Sequence, residues 1–179
     1  MPRHVAVILD GNRRFVSGDL AHPRQDIDHR EKLAERQRPF AALFGCADSR
    51  LSAEIIFDVG LGDLFVVRNA GQVIAETILG SLEYSVEVLG VSLILVLAHD
   101  ECGAIRATID DTLGQMQATG KFIHELVAKI KPTVLEANRR GMHEIDDITT
   151  MHVEDTIHDM VTRSRTIMDA VKAGKLAVI

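Results

Sequence analysis

The sequence predicts an α/β fold: a mostly parallel four-stranded sheet flanked by helices. Short apolar runs recur at residues 39–46, 64–69 and 91–99, each bounded by turn residues, and a fourth closes the chain at 176–179. None alternates cleanly between apolar and polar, which is the pattern of strands covered on both faces. Stretches of helical periodicity lie between them, and strands that alternate with helices build parallel sheets.

The helical stretches differ in character. Residues 76–89 place Ile78, Leu82, Val86 and Leu89 at helical spacing, with Gly90 where a C-terminal cap belongs. Residues 121–140 carry Phe122, Ile123, Leu126, Val127 and Ile130 on one side, and Pro132 is expected to kink or restart that helix. Residues 149–173 form the longest pattern, with Val153, Ile157, Met160, Val161, Ile167, Met168 and Val171 inward and Gly174 as the stop. At the start of the chain, Val5-Ala6-Val7-Ile8-Leu9 is β-branched and strand-like.

Composition sets the outer bounds. At 179 residues the chain fits one domain with a substantial core, and no repeat or linker divides it. Aromatics make up 4% with no Trp, so the core is expected to be aliphatic. A net charge of -6 argues against nucleic acid or an anionic membrane as the main partner. No apolar run approaches the ~18 residues that span a bilayer, and no leader-like cleavage site follows the opening, so the expected location is cytoplasmic.

The chemistry gathers at strand ends. The first predicted strand finishes in Gly45-Cys46-Ala47-Asp48-Ser49-Arg50 and the third in His99-Asp100-Glu101-Cys102-Gly103. In an open parallel sheet, functional groups collect beyond the carboxyl ends of the strands. Two thiols and an imidazole are thus sent to one rim, and Cys2His is a zinc donor set that leaves a fourth position open. Asp48 and Arg50 follow Cys46 at i+2 and i+4, a spacing at which Arg50 can clasp the carboxylate in a bidentate pair. So held, Asp48 is kept off the metal and free to accept a proton or hydrogen bond from water there. A helix that starts after Cys102 would favour its thiolate form. The other histidines, His4, His22, His29, His124, His143, His152 and His158, read as surface or structural. On these residues alone, a catalytic zinc site and a pair of buried cysteines beside a plain salt bridge both remain open.

The combination resembles the β-class carbonic anhydrases. It comprises the two strings above together with Gly60-Leu61-Gly62-Asp63-Leu64-Phe65-Val66-Val67-Arg68-Asn69-Ala70-Gly71 and Gly80-Ser81-Leu82-Glu83-Tyr84. Gly11-Asn12-Arg13-Arg14-Phe15-Val16 and Gln37-Arg38-Pro39 also look like that family. The resemblance implies one Zn2+ per chain on Cys46, His99 and Cys102, with Asp48 and Arg50 as the catalytic dyad. It implies carbon dioxide and bicarbonate as substrates, interconverted by attack of zinc-bound hydroxide. Gln37, Phe65, Tyr84 and Gly103 match substrate-cleft positions. In such relatives the cleft lies at a dimer interface, so a homodimer or dimer of dimers is implied, with some of these residues coming from the second subunit. Leu43 stands where some relatives carry the Trp of an inhibitory bicarbonate pocket, which Arg68 alone does not make; no switch of that kind is expected.

Both ends depart from that family. Residues 1–10 form an atypical opening to a single domain over 1–179, and the C-terminus looks truncated. His4-Val5-Ala6-Val7-Ile8-Leu9-Asp10-Gly11-Asn12-Arg13-Arg14 is similar to the opening of cis-prenyltransferases. Three other readings therefore stand beside the first: a cis-prenyltransferase, a zinc-binding relative without catalysis, and an enzyme acting on a carbon dioxide analogue such as carbon disulfide.

Overall fold

The computed structural model describes residues 7–9, 36–115 and 120–179. The strands are β1 (Val7–Leu9), β2 (Ala41–Cys46), β3 (Leu64–Asn69), β4 (Leu93–His99) and β5 (Ala177–Val178). The helices are α1 (Ala53–Ile56), α2 (Glu76–Glu87), α3 (Gly103–Thr112), α4 (Lys121–Arg139), α5 (Ile145–Arg163) and α6 (Arg165–Lys172), with a 3-10 turn at Ala70–Gln72. The four predicted strands all form and pair in parallel. The strand-like opening contributes a fifth, three-residue strand to the same sheet, β1. From β3 the sheet runs to β2 and then β4, whose far edge is shared end to end by β5, opposite Leu93 and Ile94, and β1, opposite Leu97 to His99. His4, Asp10, Gly11 to Val16, His22 and His29 lie outside the described residues.

Burial follows the pleat. On one face Ala42, Phe44, Ile94, Val96 and Ala98 pack with Leu82 of α2, Val153, Ile157 and Met160 of α5, and Ile167 of α6. Leu43 and Leu97 point to the other face and meet Ala53 of α1. All six residues of β2 are buried, as its continuous apolar run implies, whereas edge strand β3 is only half-buried. Beyond the carboxyl rim, Cys46 and Cys102 join Ile105 of α3, Ile130, Val134 and Ala137 of α4, and Ile148 and Met151 of α5 in a second cluster. Among the described residues, no helix is long and apolar enough to cross a membrane.

Three expectations need correction. Helix α4 runs unbroken through Pro132, which lies on its exposed side, while Ile130 and Val134 pack on either side of it and hold the turn in place. The inward stripe of α4 begins only at Leu126; Phe122 and Ile123 in its first turn are exposed at 73% and 50%. The long C-terminal helix is two helices, because Ser164 adopts extended backbone (φ -96, ψ 111). Its hydroxyl accepts from the Ile167 amide, capping α6, and donates to Glu83 of α2. The satisfied cap and the tie to α2 offset the helical hydrogen bonds given up at the break.

One glycine governs the rim. Gly71 sits at φ +71, and a Cβ there would fall 2.8 Å from Ala104 Cβ and 2.9 Å from Ile130 Cδ1. The turn after β3 thus lets α3 and α4 close over the rim only because that residue has no side chain. Gly71→Ala adds left-handed strain and overpacking together, an expected destabilisation of about 2–5 kcal/mol. Urea unfolding midpoints measure it.

Candidate metal centre

Parallel pairing delivers the predicted donors to one place. Gly45 of β2 stands opposite Leu97 of β4, so Cys46 and His99 leave neighbouring strands at the same rim. Between His99 and Cys102 the chain turns through Glu101 at φ +49, and Cys102 becomes the N-cap of α3. The donor atoms of Cys46, His99 and Cys102 all lie within 4.8 Å of one another, and all three residues are buried. The two sulfurs are 3.9 Å apart. A tetrahedron with metal–sulfur bonds of about 2.3 Å has an edge of about 3.8 Å, so the pair is spaced for one ion.

The imidazole is oriented for the same purpose. His99 Nδ1 donates to the Asp100 carbonyl at 2.8 Å, which leaves the Nε2 lone pair facing the sulfurs. That atom is buried and has no hydrogen-bond partner among the described residues. A buried lone pair without a partner is costly unless a cation or proton completes it. The residues therefore fit a thiophilic metal such as zinc.

Electrostatics agree. The Cys102 thiol, donating to the Cys46 sulfur, holds Cys46 far below the ordinary thiol range, with help from His99 and the Gly71 amide and against burial. Cys102 is pushed up for the complementary reason, since in the metal-free chain the pair keeps one proton between its sulfurs. Burial opposes a charge on His99, but the neighbouring Cys46 thiolate outweighs it and raises the imidazole.

Asp48 and Arg50 form the expected pair. Arg50 Nε and Nη2 each donate to a different Asp48 oxygen at 2.9 Å, and the Arg50 amide donates at 3.0 Å. These bonds hold the Asp48 carboxyl well below the usual carboxylate range. Asp48 Oδ2 reaches to 3.7 Å from His99 Nε2, so the clamped carboxylate borders the donor cluster. Arg68, noted only for an inhibitory pocket, has another job here. Its guanidinium donates to the Cys46 carbonyl at 2.9 Å and the Asp48 carbonyl at 2.6 Å, pinning the loop that carries both side chains.

Gly103 opens α3 beside Cys102. The other cleft candidates stand apart within one chain. Phe65 opposes Ala42, with Tyr84 tilted against it at 6.0 Å between ring centres, and Gln37 is exposed just before β2. Cys46 lies four residues beyond Ala42, about 13 Å along the strand.

A carbonic anhydrase family model matches residues 41–179, the segment that contains every side chain of the cluster. Carbonic anhydrase 2 of Mycobacterium tuberculosis is 47% identical over 176 residues, covering 96% of this chain and 83% of its own length. The carbonic anhydrase of Mycolicibacterium smegmatis is 45% identical over 172 residues with the same two coverages. Among solved structures, the β-carbonic anhydrase of Coccomyxa in complex with acetazolamide matches with a TM-score of 0.68 at 27% identity, covering 86% of this chain and 71% of that one. The β-carbonic anhydrase CcaA matches with a TM-score of 0.71 at 25% identity, covering 84% and 77%. This chain belongs to the β-class carbonic anhydrase family. The cis-prenyltransferase reading is not favoured, because carbonic anhydrase relatives align over 96% of the chain.

Of the histidines of this carbonic anhydrase that read as surface or structural, His152 is structural: it is buried on α5, and its Nε2 donates to the Gly71 carbonyl at 2.7 Å. A lone His in a helical pattern carries no signal that could have found this contact. Burial holds His152 below the ordinary histidine range, against weaker opposing effects of Gly71 and Asp155. The folded chain thus keeps it neutral, whereas an unfolded one protonates it below about pH 6.5. Its contribution to stability is complete above that pH and declines as pH falls, by up to about 1.4 kcal/mol per pH unit. Urea midpoints between pH 7.5 and 5.5 are expected to fall less steeply in His152→Gln than in the parent.

Proposed function

We propose that this chain catalyses the reversible hydration of carbon dioxide to bicarbonate and a proton, with one zinc ion on Cys46, His99 and Cys102. The observation that carries the reading is the His99 Nε2, without a hydrogen-bond partner among the described residues, buried against two sulfurs and bordered by a clamped carboxylate. Bound zinc supplies acidified water, a nucleophile available near neutral pH. The chain's own groups do the rest. Cys46 and Cys102 give up their protons to bind the ion, helped by the Gly71 amide and the amino end of α3. Arg50 takes up both Asp48 oxygens, which keeps the carboxylate ionised, acceptor-only and off the metal. The Asp48 Oδ2 edge then accepts a hydrogen bond from the reacting water and aims its lone pair at carbon dioxide. Gly103 leaves room beside Cys102, since a Cβ there would meet nothing within 4 Å.

The same reading makes the unit a homodimer or a dimer of dimers. Phe65 stands opposite Ala42, four residues along the strand from Cys46, with Tyr84 of α2 packed on it and 43% exposed, and Gln37 precedes β2, at the end away from the donors. A second copy brings them to the metal site, with Gln37 hydrogen-bonding bicarbonate and Phe65 as an apolar wall. The cytoplasm suits two free cysteines whose sulfurs stand 3.9 Å apart, because an oxidising compartment favours their disulfide over the metal.

Stopped-flow hydration on metal-analysed protein tests the proposal. The parent is expected to be active with one zinc per chain, and chelator dialysis to abolish activity until zinc is returned. Cys46→Ser is expected to lose both metal and activity, and Asp48→Asn to keep zinc while activity falls about 10–100-fold. Zinc-loaded parent without hydration would support the binding-only reading. Turnover of carbon disulfide alone would support the analogue reading, and activity that survives Cys46→Ser would sink the mechanism.

A further inference from the structure

We propose that His152 is a positioning residue for the metal centre, acting through the Gly71 backbone, whose two flanking peptide units it helps to hold, on the Cys46 sulfur. Gly71 is held at both of its polar ends. Its amide donates to Cys46 Sγ at 3.4 Å, and its carbonyl accepts from His152 Nε2 at 2.7 Å across 81 residues of sequence. A glycine has no side chain to anchor it, and φ +71 is only one of several conformations open to it. Asn69 brackets the turn, donating to the Val73 carbonyl at 2.8 Å and accepting from the Val73 amide at 2.9 Å. Those bonds close the turn's ends, while its middle depends on His152. Gln72 does not share that task, because neither atom of its buried amide has a partner among the described residues.

The contact defines the imidazole. A carbonyl oxygen only accepts, so Nε2 carries the proton and the neutral ring keeps its lone pair on Nδ1. His152 therefore brings no charge to the cluster; it brings direction. With the carbonyl tethered, the Gly71 amide stays aimed at the sulfur, where it stabilises a thiolate and orients the lone pair left for metal. Groups that orient a metal's ligands in this way are typically worth about 10–100-fold in affinity or activity.

This inference rests on the assignment of Cys46, His99 and Cys102 as zinc ligands. Its test uses the full chain with cadmium-113 at the site, read by coupling of the metal to amide protons across N–H···S bonds, alongside zinc affinity from chelator competition. The parent is expected to couple to the Gly71 amide. His152→Met, which fills the space without a donor, is expected to lose that coupling and bind zinc about 10–100-fold more weakly. His152→Gln places an amide donor near the Nε2 position and is expected to keep both. Parent-like affinity and coupling in His152→Met overturn the proposal, as does His152→Gln behaving like His152→Met. If His152→Met does not fold, coupling in the parent and in His152→Gln decides, and its absence in the parent overturns the proposal. A parent that binds no metal through Cys46 fails the underlying assignment instead, and that outcome is distinct from zinc-loaded parent without Gly71 coupling.

Discussion

Everything at the rim depends on the parallel hydrogen bonding between β2 and β4. That ladder sets Gly45 against Leu97, so two strands separated by nearly fifty residues of sequence end side by side and point the same way. Antiparallel pairing would send Cys46 and His99 to opposite ends of the sheet. Parallel strands need covered crossovers, and the helices that provide them bury both faces. The burial that stabilises the sheet is therefore the same burial that removes water from the donors. Dry thiols and a dry imidazole form a poor resting state for a protein and a good one for a metal.

Around the donors, backbone groups carry much of the positioning. Arg68 grips the carbonyls of Cys46 and Asp48, the Arg50 amide donates to the Asp48 carboxylate, and Gly71 offers its amide to sulfur. Such contacts set the direction of each ligand rather than its identity. Charge is divided between two places: the Asp48 carboxylate is neutralised by Arg50 at the surface, while the two sulfurs within share one proton that a metal would displace.

The sequence exposed the local parts of this arrangement well. Strand positions followed from apolar runs, and the pairing of Asp48 with Arg50 followed from a two-residue spacing that any turn brings together. The errors arose where packing overrules local preference. Pro132 stays within a continuous helix because its neighbours on the buried side hold the turn, and Ser164 divides a periodic run because Glu83 and the Ile167 amide both claim its hydroxyl. The His152 contact was not legible for a related reason, since nothing near it in the chain hints at Gly71.

By itself the sequence determined the fold class, and it put forward Cys46, His99 and Cys102 as candidate donors and Asp48 with Arg50 as a candidate pair. These depend on residue type and short-range spacing, which a linear string records directly. Tertiary structure alone decided that the three donors fall within 4.8 Å, that His99 turns its free nitrogen toward the sulfurs, and that His152 reaches Gly71. It also set Phe65 opposite Ala42, four residues along the strand from Cys46, with Tyr84 packed against it. Each of these is a distance between residues far apart in sequence, set by strand register and helix packing, and no local pattern encodes it.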